Sequence, residues 1–266
     1  MEVFRPRTLA EALALRAAHP GALAIRGGTD VMVELNFDRA RPEAILDLGE
    51  VAELGGWSRE DGVLRLGAGL TYAEIEHGEL AAELPALAEA SRTVGSPQIR
   101  NRGTIGGNLG TASPAGDALP PLLVEEAEIE VASAERGARR VALRDFLVEP
   151  KRNALAEDEL IVAAVVRPSG GPQTFMKIGP RNAMVIAVCS LAVVADRARG
   201  EVRASFGSAG PVPGVVRVPV DGAAASLPEA VVDACSPIDD VRGTAAYRRH
   251  ALGVLARRAV ERCLAA

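Results

Sequence analysis

From Asn101 to Asp117 the chain reads Asn-Arg-Gly-Thr-Ile-Gly-Gly-Asn-Leu-Gly-Thr-Ala-Ser-Pro-Ala-Gly-Asp, a stretch with few large side chains and one acid. Gly103, Gly106 and Gly107 permit positive φ and close approach of a ligand to the main chain, so successive N–H groups can converge on a phosphate. Thr104, Asn108, Thr111 and Ser113 add neutral hydrogen-bonding groups. Pro114 and Asp117 shape the exit before an apolar run from Ala118 to Val124 that reads as a helix. The segment is therefore a pyrophosphate cradle or, in a chain with 27 glycines, a solvated turn.

A second segment, Ala22-Leu-Ala-Ile-Arg-Gly-Gly-Thr-Asp-Val31, favours the cradle. A short apolar strand runs into Gly27-Gly28, and Thr29 and Asp30 stand where they would cap a helix beginning near Val31. Strand, glycine turn and helix start together make an anion site, because unpaired N–H groups point one way. Two such loops can grip one diphosphate. Neither fits the usual nucleotide patterns: Gly67-Ala-Gly69-Leu-Thr-Tyr72 lacks the third glycine of the dinucleotide fingerprint, and no glycine–lysine pair makes a P-loop.

Composition removes other classes. A net charge of −5 and eight aromatic residues supply neither a phosphate-neutralising surface nor a base-stacking platform, so nucleic-acid binding is not expected. The N-terminal residues lack an apolar signal core and no run of eighteen apolar residues occurs, which predicts a cytoplasmic protein without membrane insertion. Cys189, Cys235 and Cys263 are far apart, with no C-x-x-C spacing for a disulfide framework or an iron–sulfur cluster. Three histidines in helical or helix-stop contexts assemble no metal site, and no nucleophile elbow is present. The chain has no acid–base machinery of its own, as expected of a cofactor holder.

Thr8 and Glu11 have capping-box spacing for a helix that stops at Pro20-Gly21. Strands at 22–25 and 44–48, a hairpin over 57–66 turning at Asp61-Gly62, a capping box at Thr71 and Glu74, and strands at 128–132 and 159–166 complete an alternating α and β pattern. Arg167-Pro-Ser-Gly-Gly-Pro172 reads as a linker. Beyond it, segments 174–178, 185–195 and 201–207 predict three strands, followed by helices over 227–234 and 244–264. On the last helix Leu252, Leu255, Ala256, Ala259 and Cys263 share a face, so Cys263 reads as packing. Lys177 is one of only two lysines against 28 arginines. Strand alternation alone would turn it to solvent.

The residues resemble a known family, the FAD-binding medium subunits of the molybdenum hydroxylases, which include xanthine dehydrogenase and aerobic carbon monoxide dehydrogenase. The likeness rests on Gly-Gly-Thr-Asp-Val at 27–31 and on Thr-Ile-Gly-Gly-Asn followed by Thr-Ala-Ser-Pro and Asp at 104–117. It continues through Glu159-Leu-Ile161, Phe175-Met-Lys-Ile178, Arg181 to Ala187 and Arg242 to Arg249. Gln98-Ile-Arg-Asn-Arg-Gly103 and Lys151-Arg-Asn-Ala154 are most similar to the subunits of bacterial xanthine dehydrogenases.

The resemblance implies an α+β fold: a two-lobed FAD-binding domain of the PCMH (vanillyl-alcohol oxidase-like) type over 1–166, with lobes of about 1–55 and 56–166. A smaller α+β domain over 173–266, like the C-terminal domain of carbon monoxide dehydrogenase flavoproteins, would carry a three-stranded antiparallel sheet. It implies FAD on this chain, molybdopterin on a large partner subunit, 2Fe-2S clusters on a small one, a dimer of heterotrimers, and NAD as electron acceptor. Carried over by position, Ile25, Arg26, Gly27, Gly28, Thr29, Asp30 and Val31 would embrace the cofactor. Thr104, Gly106, Gly107, Asn108, Thr111 and Asp117 would complete the pocket, with Ile161 beside a ring and Lys177 near the flavin. Arg26 departs from the alanine of many relatives, and would pair with phosphate or face solvent. A carbon monoxide dehydrogenase-type subunit is the same-class alternative, and a non-redox nucleotide-binding module the different-class one.

Overall fold

In the computed structural model, which describes residues 1–266, the local signals at the N-terminus set the first elements. Strand β1 (Glu2–Phe4) precedes helix α1 (Leu9–Ala18), whose N-cap Thr8 accepts from the Glu11 amide. The expected box is only half made, because the Glu11 carboxylate accepts from Arg7 N instead of returning to Thr8. Strand β2 (Leu23–Ile25), helix α2 (Val31–Asn36) and strand β3 (Ala44–Asp47) follow, and the three strands pair in parallel in the order β1–β3–β2.

Strands β4 (Trp57–Glu60) and β5 (Val63–Gly67) form the predicted hairpin, with Asp61 and Gly62 both at positive φ (49° and 74°) as a two-residue primed turn requires. Five short helices come next: α3 (Tyr72–Ile75), α4 (Gly78–Glu83), α5 (Pro85–Arg92), α6 (Pro97–Arg100) and α7 (Ile105–Thr111). At the start of α3 the Thr71–Glu74 capping box is complete in both directions. Then follow α8 (Leu119–Val124), β6 (Glu128–Ser133), β7 (Gly137–Ala142), α9 (Leu143–Phe146), the small pair β8 (Leu147–Glu149) and β9 (Arg152–Asn153), and β10 (Leu160–Val166).

The larger sheet is ordered β4–β5–β10–β6–β7 and is antiparallel. All seven residues of β10 are buried, which is why the sequence there is a continuous apolar run without alternation. Strand β7 gives no such signal. It is an arginine-bearing edge whose outer row needs no apolar residues.

The C-terminal part is built from β11 (Gln173–Ile178), β12 (Cys189–Asp196), β13 (Glu201–Gly207), β14 (Gly214–Pro219), α10 (Ala223–Ala234) and α11 (Ala245–Ala265). The sheet has four strands where the sequence predicted three. The fourth, β14, follows Pro213 and ends on Pro219, and is an edge, a sheet position that tolerates missing N–H donors. The apolar run from Val185 becomes a strand only at Cys189. Its first residues belong to a loop that Arg181 holds through the carbonyls of Ala183 and Met184.

One apolar cluster of 34 buried residues spans Ala12 to Val166, and a second of 20 spans Cys189 to Cys263. A small group, Ala86, Ala90 and Val124 with Phe175, Ala192 and Val194, joins them. Cys263 lies in the second cluster, where burial pushes its thiol up to about 12 and leaves it inert.

At the far end, Asp240 receives the Arg242 amide and guanidinium together with the buried Arg248, which itself donates to Ser208 O. Desolvation opposes the Asp240 charge, but these donors outweigh it and hold the carboxyl down at about 2. A carboxyl held below its unfolded value of about 3.9 contributes stability that is present above that value and lost as pH falls through the folded one. Asp240→Asn is therefore expected to be less stable than the parent at neutral pH, and the difference should close as pH falls from about 4 to about 2. Urea midpoints measured across that window check this.

Candidate cofactor cleft

Strand β2 delivers the chain into Gly27 and Gly28 at the mouth of a cleft of about 1090 Å³. A Cβ on Gly27 would stand 2.0 Å from the Arg102 carbonyl oxygen, so only glycine lets this loop lie against the turn before α7. Gly28 is left-handed, with φ of 76°, and redirects the chain into α2. The consequence is a row of free donors. The N–H groups of Gly27, Gly28, Thr29, Asp30 and Val31 meet no acceptor within the chain, and all five residues line the cleft. Consecutive unpaired amides around a left-handed residue form a concave anion site.

Helix α2 begins at Val31 as expected, but Asp30 does not cap it. Asp30 is itself helical in backbone, and its carboxylate accepts from the Thr111 hydroxyl at 2.9 Å, tying the first loop to α7.

The second glycine segment works differently from the sequence reading. None of Gly103, Gly106 and Gly107 has positive φ, and the last two are helical. Their amides are already used: Gly103 N on Ile99 O, Ile105 N on Leu70 O, Gly106 N on Ala68 O, and Gly107 N on the capping hydroxyl of Thr104. Toward the cleft these glycines clear space, and their N–H groups are spent inside the fold. A Cβ on Gly106 would lie 2.5 Å from Ala68 O, so Gly106 lets α7 press onto the chain just after β5. One on Gly107 would meet only Thr104 Oγ1, at 3.2 Å, and Gly110 faces Ile161 Cδ1 at 3.7 Å. Gly107 and Gly110 thus leave the cleft side of α7 bare, above Ile161 at the bulge of β10.

Asn108 and Asp117 close one wall. Each has a buried oxygen, Oδ1 in both, without a hydrogen-bond partner. An unpartnered buried acceptor costs about 1–3 kcal/mol, so two on one cleft wall fit a ligand that brings hydroxyl donors. Burial pushes the Asp117 carboxyl above the ordinary range, although the charge and hydrogen bond of Lys177 pull against it.

Lys177 does not face solvent. Its side chain is 6% exposed, and Nζ lies 2.5 Å from Asp117 Oδ2 and 3.3 Å from Thr93 O. It stands behind Asp117 and not in the cleft lining, so its charge reaches the cleft through that carboxylate.

Arg26 neither faces solvent nor points to the free amides. Its Nη1 donates to Leu48 O and, at 3.1 Å, to Val51 O, while its head fills the space a side chain on Gly69 would need. It fastens the end of β2 to the segment after β3.

Tyr72 is a wall residue the sequence reading missed. It is 4% exposed, and burial together with Asp117 and Asp30 raises its phenol far above the usual range, keeping it neutral. The capping box at Thr71 placed it as the first residue of α3, but nothing local tells that it turns toward Gly103. Val185 and Ile186, from the loop before β12, complete the rim.

A cleft that offers one edge of free amides, a bare helix face and two buried acceptors defines a holder of a phosphate-bearing cofactor. The comparisons give the class. Residues 1–168 match the family model described as FAD binding domain in molybdopterin dehydrogenase, and the chain belongs to that family, the FAD-carrying oxidoreductase subunits of the molybdenum hydroxylases. It is 31% identical over 279 residues, covering 98% of this chain and 95% of its relative, to the xanthine dehydrogenase FAD-binding subunit of Escherichia coli O157:H7. It is 33% identical over 282 residues to the carbon monoxide dehydrogenase medium chain of Afipia carboxidovorans, covering 99% and 96%. Among solved structures, a Cu,Mo-CO dehydrogenase chain superposes with a TM-score of 0.92 at 29% identity, covering 100% of this chain and 98% of that one. The α+β architecture is that of the carbon monoxide dehydrogenase medium subunit. No helix is long and apolar enough to cross a membrane.

Proposed function

We propose that this chain is the electron-transfer subunit of a xanthine- or purine-oxidising molybdenum hydroxylase, linking 2Fe-2S clusters on a small partner subunit to NAD. In this reading molybdopterin sits on a large partner, the assembly is a cytoplasmic dimer of heterotrimers, and residues 1–166 and 173–266 act as the FAD domain and the C-terminal domain. The observation that carries it is the row of free amides from Gly27 to Val31, which meets the charge of a diphosphate without a single cation. The choice of purine rests on the Gln98–Gly103 and Lys151–Ala154 segments together with the E. coli relative. Relatives named for carbon monoxide and nicotinate lie in the same range of identity, and a carbon monoxide dehydrogenase-type assembly is the second reading.

When bound, FAD supplies the redox chemistry. The protein's own contributions are positional. The 27–31 loop would fix the diphosphate, with Thr29 and Thr111 at its sides. Asn108 and Asp117 would accept from hydroxyls of the sugar chain, which satisfies their two orphaned oxygens. Ile161 and Val94 would exclude water from a ring. Lys177 would counter negative charge from behind Asp117.

Purification with added FAD, desalting and an absorption spectrum test the assignment. A stoichiometric flavin that bleaches on reduction is expected. A folded chain that stays colourless even when produced with its two partner subunits would overturn it.

A further inference from the structure

A second cavity, of about 860 Å³, opens on the seam where the β6–β7 hairpin meets the edge strand β14. It shares no residue with the cofactor cleft. One wall is apolar, formed by Val63, Leu123, Leu147, Val165, Val212 and Val215. Facing it are five arginines and three glutamates, in a chain whose net charge is −5.

Most of those charges are matched. Glu126 lies 2.5 Å from both Arg199 and Arg217, Arg140 is shared between Glu128 and Glu130, and Glu125 faces the buried Arg203 at 3.7 Å. Two guanidiniums are not. Arg167 reaches only the Asp61 carbonyl, at 3.2 Å. Arg144 has only its own neighbour Asp145, at 3.7 Å, with both side chains largely exposed. Glu126, which holds two further arginines, sits at a φ of 53°, a left-handed conformation that costs a non-glycine residue free energy.

We propose that this seam cavity is a binding site for a small organic dianion, a phosphate monoester or a dicarboxylate, whose apolar body lies on the valine and leucine wall. Guanidinium forks bind either group through paired charge-assisted hydrogen bonds. Arg144 and Arg167 supply two such forks, and Arg199 and Arg217 become available when the anion competes with Glu126. Because Arg144 and Arg167 come from the first 168 residues and Arg217 from β14, an occupant ties the two parts of the chain together.

The test uses the full chain loaded with FAD, titrated calorimetrically with phenyl phosphate and, separately, with phthalate. Loading keeps the anions out of the cofactor cleft. Saturable binding with a dissociation constant below about 1 mM is expected for at least one of them, and the stronger identifies the head group. The exposed pair Arg144→Gln with Arg167→Gln should weaken it by about tenfold or more, with flavin content unchanged. Glu126→Gln should tighten it, since it frees Arg199 and Arg217. No saturable binding of either dianion, or equal binding by the parent and the double arginine variant, would overturn the proposal.

Discussion

Gly107→Leu is expected to fold and to lose its flavin. A Cβ at position 107 meets only Thr104 Oγ1, at 3.2 Å, a tight contact to which the capping hydroxyl must yield by a few tenths of an ångström, and beyond it the side chain enters the cleft. The position is the third residue of α7, where replacing glycine removes a conformational penalty of about 0.5–1 kcal/mol. The leucine side chain would then occupy space inside the cleft, and the overlap should weaken FAD retention by about a hundredfold or more, on the order of 3 kcal/mol. Flavin absorbance per protein after desalting, read beside the thermal midpoint, separates the two effects. Full flavin occupancy in the leucine variant would remove α7 from the cofactor site. Gly27 and Gly106 could not serve in this experiment, because a Cβ there meets backbone at 2.0 and 2.5 Å and the fold itself would shift.

Asp117→Ala should be strongly destabilising. It leaves the Lys177 ammonium buried beside Thr93 O with no counter-charge, a situation that typically costs about 3–5 kcal/mol. Denaturant midpoints should show that loss directly. Replacing both partners, Asp117→Leu with Lys177→Met, removes the pair without leaving a stranded charge and should recover most of the stability. It should not recover FAD binding, because the unpartnered Asp117 Oδ1 has gone as well. A double variant that is stable and still fully yellow would show that Asp117 serves only the fold. A single variant as stable as the parent would mean that the pair is open to water.

Much of the chain's architecture follows from short stretches read alone. Thr8, Thr71 and Thr244 start helices because each accepts the amide three residues on. Asp61-Gly62 turns a hairpin because both residues accept positive φ, and β10 is central because it is apolar throughout. The edge strands β7 and β14 carried no comparable signal. An edge is held by one neighbour and can be polar or flanked by proline, so its strand identity resides in its partner.

The sequence by itself pointed to backbone amides between β2 and α2 as donors for an anion, through Gly27 and Gly28, while leaving Arg26 to pair with phosphate or face solvent. It also determined the family, through Gly27–Val31 and Thr104–Asp117. Only the tertiary structure decided which amides remain free, because the acceptors that take those of Ile105 and Gly106 are Leu70 O and Ala68 O, more than thirty residues away. It likewise turned Lys177 inward to Asp117, 60 residues distant, and drew Arg26 onto two carbonyls. Backbone conformation is set largely by a residue and its immediate neighbours, whereas the partner of a polar group is whatever the completed fold brings within about 3 Å.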